Sequence, residues 1–270
     1  MSRLSRRPRP ALRGAVLLVL ALSLTLVVPP PRVSAAASAP EAEAMLLSWV
    51  NTERSARSLV PLVRWHALAV VAGRRATRMA ELNTASHSAA GDLAAQLKGQ
   101  GVTWYRMGEN VGYSGAAWTV DAAKDLFRMW KASPMHWSLL MSDRFNYVGV
   151  GLAYRSSNQR TFGSVVFTES ADHSGARARV TSETRSGDDV RWTWTGSDRR
   201  LQTHTAGLRD FDVQYRVNSG DWRTVRNDTT AMSITLKDRV RGRYYSIRVR
   251  ATDRRGNVGA WTSASKIWVP

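Results

Sequence analysis

The sequence offers few side chains that can move a proton or hold a metal. Its 270 residues contain five histidines and no cysteine. The missing cysteine excludes a thiol nucleophile, an iron–sulfur centre, a cysteine-ligated zinc and a disulfide scaffold. His66 opens a helical pattern, His173 falls in a polar stretch and His204 lies in a β-patterned second half. His87, in TASHSAA, and His136, in SPMHWSLL, sit at element ends beside small or turn-forming residues. Glu109 lies in MGENVGY. Gly108 before it permits a tight turn, and Asn110 after it can bond its own backbone. A carboxylate fixed in such a turn points one way. Two neutral imidazoles and a carboxylate could hold a divalent ion, with Glu109 as ligand or as the base that activates a water. The intervals of 22 and 27 residues demand tertiary contact. Spacing alone equally allows each histidine to cap a helix end. Ser133 near His136 pairs a hydroxyl with a base, but no third orienting group is identifiable. Helix termination before Pro134 is its other role.

The elements that must position these groups follow from periodicity. Met45, Leu46, Trp49, Val50 and Glu53 recur at helical spacing within residues 42–57. Leu68, Val71, Ala72, Ala76 and Met79 form one stripe over residues 67–81. Residues 91–100 read as a short helix, and a fourth starts near Thr119, a suitable N-cap. FNYVGVGLAYR and TFGSVVFTE then read as two strands joined by Ser156–Gln159. Residues 36–170 are therefore expected to form an α+β domain. Residues 171–179 are polar and read as a linker, and residues 180–270 alternate at period 2 in several short strands, as in a β-sandwich.

Residues 1–35 read as a signal peptide rather than part of the fold. Five arginines and no acid are followed by an apolar run from Ala15 to Val28, short for a membrane span, and by the small residues of Val33-Ser34-Ala35. Ser5-Arg6-Arg7 raises a twin-arginine export route as an alternative. An exported, cysteine-free chain must rely on its core for stability. The formal charge of the whole chain is +18. Without residues 1–35, 33 basic groups face 21 acidic ones. Most of the excess lies in residues 176–270, with 19 basic groups and 10 acidic ones.

The motifs Asn51-x-Glu53-Arg54, Ser86-His87, Gly108-Glu109-Asn110, Trp130-x-x-Ser133-Pro134-x-His136 and Val148-Gly149-Val150-Gly151, in this order, resemble the CAP superfamily. That superfamily comprises the cysteine-rich secretory, antigen 5 and pathogenesis-related proteins, and the likeness is to its cysteine-free bacterial branch. The resemblance covers about residues 42–170. It implies an α-β-α sandwich with a cleft lined by His87, Glu109 and His136, and a zinc or other divalent ion on His87 and His136 as a candidate cofactor. The family's second glutamate falls on Ser133 here, so the resemblance carries over three of the four cleft groups. Trp49, Trp65 and Trp130 are expected in the core, and Trp104, Tyr105, Tyr113, Trp118 and Trp137 around the cleft.

Residues 178–270 resemble a fibronectin type III or related immunoglobulin-like module. The resemblance rests on Val190-x-Trp192-x-Trp194, Tyr215, Tyr245 and Asp253-x-x-Gly256-Asn257. It implies a tryptophan in the sandwich centre and a tyrosine corner at Tyr245. Arg243, Arg248, Arg250, Arg254 and Arg255 make a basic face, either a solvated sheet surface or a contact for an anionic envelope polymer or lipid. The combined expectation is a secreted or envelope-associated monomer that binds a small apolar ligand or divalent metal in its cleft. No nucleic acid partner is expected. The alternative is a secreted metal-dependent hydrolase using the same His/Glu cleft.

Overall fold

The computed structural model describes residues 39–116 and 120–270. The chain folds through α1 (Ala39–Ser55), β1 (Val63–Arg64), α2 (His66–Leu82), α3 (Leu93–Gly99), β2 (Arg106–Ser114), α4 (Val120–Ala132), α5 (Pro134–Leu140), β3 (Tyr147–Arg155) and β4 (Arg160–Glu169). Seven strands follow: β5 (Arg177–Ser186), β6 (Asp189–Ser197), β7 (Leu208–Val217), β8 (Arg223–Thr229), β9 (Ser233–Leu236), β10 (Arg243–Asp253) and β11 (Ser265–Val269). An α+β domain thus precedes an all-β one. Thr119 and Trp118 lie outside the described residues. None of the described helices is long and apolar enough to cross a membrane.

The first domain is built on a sheet of order β1-β3-β4-β2, with β1 parallel to β3 and the other pairs antiparallel. Strand β3 shows how one sequence serves two layers. Val148, Val150 and Leu152 join α1 and α4 through Leu46, Val50, Leu126 and Trp130. The alternate positions face α2, as the period of two requires. There Gly149 and Gly151 carry no side chain. A Cβ on Gly149 would overlap the backbone of Leu68 and Ala69, and one on Gly151 the backbone of Ala72 and Gly73. The two glycines let α2 lie directly on the sheet.

Two local expectations are corrected. The Gly108-Glu109-Asn110 segment is not a turn. It lies inside β2, paired in register with Phe167, Val166 and Val165 of β4. Gly108 is needed for close approach, because a Cβ there would sit 3.0 Å from Phe145 Cζ. Beyond α4 the chain forms a further helix, α5, with Pro134 at its start. A proline in the first turn gives up a donor that has no intrahelical partner.

The second domain packs the sheet β11-β10-β7-β8 on the sheet β5-β6-β9. Trp192 and Trp194 both fill the space between them, with Phe211, Ile247 and Val249. The Tyr245 hydroxyl receives the Val240 N–H at 2.9 Å and donates to the Val240 carbonyl at 3.3 Å, the expected tyrosine corner. The segment after β4 is anchored rather than free, since Ser170, Asp172 and Ala176 are all buried. The loop between β6 and β7 reaches back to the first domain. Leu201 enters the core beside Leu68 and Tyr147, Gln202 receives the Val60 N–H at 2.7 Å, and the Thr203 carbonyl receives Asn146 Nδ2 at 3.1 Å.

Gly149→Ala or Gly151→Ala is expected to push α2 off the sheet and destabilise the chain by roughly 3 kcal/mol or more. Gly73, whose Cβ would meet nothing within 4 Å, is the control. Gly73→Ala should stabilise by about 1 kcal/mol through helix propensity. Denaturant unfolding of the three variants checks both statements.

Candidate functional site

Strand β2 is the sheet's edge beyond β4, and its consecutive residues address opposite layers. Glu109 turns toward α2. Its Oε1 accepts Arg75 Nε at 2.5 Å and Ser164 Oγ at 2.8 Å. Its Oε2 accepts Arg75 Nη2 at 2.7 Å and lies 2.8 Å from His87 Nδ1. Asn110 turns the other way, and its Nδ2 donates to the His136 carbonyl at 2.9 Å. One histidine is therefore held from each side of the sheet by neighbouring residues of one edge strand. Aligned with the strand period, Glu-Asn is a two-sided clamp.

Arg75 was not singled out by sequence reasoning, yet it organises this site. It extends the α2 stripe of Leu68, Val71 and Ala72 at helical spacing, where every neighbour is buried. A cation in an apolar stripe signals a buried partner, and that was the available clue. Beyond its two bonds to Glu109, Nη2 donates to the His87 carbonyl at 3.1 Å, and Nη1 to the carbonyls of Ala90 and Gly91 at 3.3 and 2.7 Å. All five guanidinium donors are thus used. Gly91, at φ +85, makes the turn that brings its carbonyl inward, a backbone state open mainly to glycine. Arg75 fixes both the carboxylate and the loop that carries His87.

Proton positions follow from this geometry. Glu109 is an acceptor, so His87 Nδ1 is the donor in their contact. In the neutral ring the Nε2 lone pair is then free, and the His87 side chain is 61% exposed. The His136 Nδ1 lies 2.9 Å from Ser133 Oγ. Ser133 therefore both ends α4 and holds His136 from three residues away. Partial burial holds His136 below the usual imidazole range, and the charge of nearby His87 adds to this.

As a metal site the set is incomplete. Two imidazole nitrogens are available, and His87 is oriented by a carboxylate as metal-bound histidines commonly are. A catalytic zinc takes three protein ligands, and Glu109 cannot readily be the third. Its four acceptor positions are filled by Arg75 twice, Ser164 and His87. The residues here do not fit the three-ligand set of a tightly held catalytic ion. The group of three acids or histidines found together among the described residues lies elsewhere, at Asp172, Asp198 and Asp253. These carboxylates accept backbone N–H groups of Ser174, Ala206, Gly207 and Asn257 at the junction of the two domains.

The aromatic residues expected around the cleft make the following contacts, Trp118 lying outside the described residues. Trp104 packs on the core beneath α2, and Tyr105 stacks on His204 at 4.5 Å. Tyr113 lies against Phe162 and Arg160. Trp137 packs on Phe127 between Arg57 and Lys131. Trp130 is fully buried and Trp65 partly so, against Tyr147 and His173. Arg54, also unmarked in the sequence reading as a buried group, donates to the carbonyls of Leu140 and Ser142 at the end of α5. Burial pulls its guanidinium down to about 10, so it stays cationic at neutral pH.

The family model described as CAP, the cysteine-rich secretory protein family, matches residues 47–168. No curated protein matches the chain. Among solved structures, an extracellular protein with an SCP domain from Bacillus anthracis is 24% identical, with a TM-score of 0.40 over 47% of this chain. A cysteine-rich secretory protein from Staphylococcus aureus is 24% identical, with a TM-score of 0.39 over 51% of this chain. The chain spans 40% of the length of each of these two proteins. The sixth fibronectin type III domain of a human protein is 17% identical over 37% of this chain, which covers 89% of that domain, with a TM-score of 0.27.

Two outcomes test the site. Arg75→Met should cost about 3–5 kcal/mol, because it leaves Glu109 buried without its cation; chemical unfolding measures it. The second concerns pH. A lowered His136 value means that the unfolded chain binds the proton more readily than the folded one. This residue's contribution to stability is therefore complete above the ordinary imidazole range and is lost as pH falls through it. In chelator-treated protein, His87→Ala should raise the His136 titration midpoint part of the way, with burial retaining the rest; proton NMR of the imidazole follows it. Residues 47–168 thus match the CAP, or cysteine-rich secretory protein, family as a domain, and a fibronectin type III-like sandwich follows it.

Proposed function

We propose that the chain is an exported binding protein whose CAP cleft presents two imidazoles, on His87 and His136, to a small ligand or a divalent cation. The basic sandwich spaces or tethers it at an anionic envelope surface. The observation that carries this reading is the Glu109–Asn110 clamp, which holds one histidine from each layer at the open edge of the sheet. The outward Nε2 of His87 gives the cleft a neutral nitrogen donor. The arginine, aliphatic run and small residues of positions 1–35 support export.

The hydrolase alternative asks Glu109 to take a proton from water. Arg75, Ser164 and His87 already fill its acceptor positions, and Ser133 takes the place where the family often has a second acid. A divalent ion, when bound, would supply Lewis acidity at His87 and His136. The chain's own contribution is to hold both rings and to keep Glu109 neutralised. Binding without turnover is what this arrangement does best. Fold membership alone would not decide the matter, since one fold hosts many activities.

Zinc provides the direct probe. Titrating the full chain with Zn²⁺ should shift the imidazole resonances of His87 and His136 together, and either His87→Ala or His136→Ala should abolish the shared response. Equal zinc binding by His87→Ala would place the ion elsewhere and remove the cleft from the account.

A further inference from the structure

The outer face of the sandwich carries an alternating stack of guanidinium groups and indoles. Arg216 of β7 lies 4.6 Å over Trp222, and Arg248 of β10 lies 4.6 Å over the same ring. Arg248 also stands 4.7 Å from Trp261, over which Arg250 lies at 4.6 Å. Cation–π contacts of this kind hold a guanidinium plane in one orientation. Within the stack, Arg248 donates twice to Gln214 Oε1, at 2.9 and 2.6 Å, and Arg250 to Asp212 Oδ2 at 2.8 Å. These two arginines have their acceptors. The expected basic face is thus partly spent on internal bonds.

Arg216, at the end of the stack, is different. Its Nε is buried and has no hydrogen-bond acceptor among the described residues. The residue opens on a cavity of about 250 Å³ beside the β7–β8 turn, lined also by Arg223, Arg243 and Asp221. Arg223 and Arg243 are exposed and make no ion pair among the described residues. Three guanidinium groups therefore surround one small cavity against one carboxylate. Each offers planar donors whose spacing suits the oxygens of a phosphoryl group. One of the three is already oriented by stacking, which lowers the ordering cost of binding.

The geometry points to a phosphoryl-binding pocket formed by Arg216, Arg223 and Arg243. This deepens the tethering role proposed for the sandwich and rests on it only for the source of the phosphoryl group, a phosphodiester polymer or a lipid headgroup. The CAP cleft has no part in it.

The probe is inorganic phosphate, titrated into the full chain at low ionic strength with the arginine Nε–H resonances followed by NMR. The expected result is a saturable shift at Arg216. Arg223→Gln with Arg243→Gln, both at exposed positions, should weaken binding by about ten-fold or more, since charge-assisted contacts carry it. Arg179→Gln, elsewhere on the sandwich, should leave it unchanged. A shift that never saturates, or that is the same in the double variant and the control, overturns the pocket. Poly(glycerol phosphate) and phosphatidylglycerol vesicles then separate the sources: competition by one assigns the phosphoryl group to polymer or to headgroup, and both results uphold the pocket. Phosphate binding with competition from neither keeps the pocket and removes the tethering role.

Discussion

The buried pair of Arg75 and Glu109 is the constraint on which the site depends. Each side chain is almost wholly removed from water. Burying either charge alone would be prohibitive. Together they are neutral, with all five donors of one and the four acceptor positions of the other occupied by named partners. That complete accounting is the condition under which a buried ion pair is tolerable. It also joins three parts of the domain: the inner helix α2, the edge strand β2 and the loop carrying His87. The pair cannot move without moving all three.

From this follows the character of the cleft. A carboxylate that answers to an arginine, a serine and a histidine is an orienting group. It sets which nitrogen of His87 carries the proton and leaves the other facing outward. Asn110, one residue on, performs the corresponding service for His136 through its backbone carbonyl. Ser133, standing where the family often has an acid, contributes a hydroxyl to the His136 ring and no charge. The surroundings of Glu109 and Asn110 therefore hold imidazole nitrogens and, among the described residues, no free carboxylate.

Much of the fold was legible because its signals are local. The stripes of α1 and α2, the alternation of β3 and β4 and the period-2 second half are all readable from side-chain order. The Gly149 and Gly151 pair was visible as a motif, although its reason, direct contact with the backbone of α2, needs the packed structure. The strand nature of Gly108-Glu109-Asn110 was not legible. A glycine followed by two polar residues reads as a turn, and here the sheet and the Arg75 side chain satisfy what looks like loop chemistry. Helix α5 was masked by Pro134, whose stop signal for α4 is equally a start signal. Arg75 was hidden because a partner 34 residues away leaves no trace in spacing. The expectation that His87 and His136 share a cleft came from family likeness, and no periodicity could have supplied it.

The most direct measurement is the tautomer of His87, read from the nitrogen shifts of its ring in alkaline buffer free of metal. An orienting Glu109, fixed by Arg75, predicts a proton on Nδ1 and a bare Nε2. A proton on Nε2 would mean that the carboxylate does not hold this ring, and the organisation of the cleft described here would be contradicted.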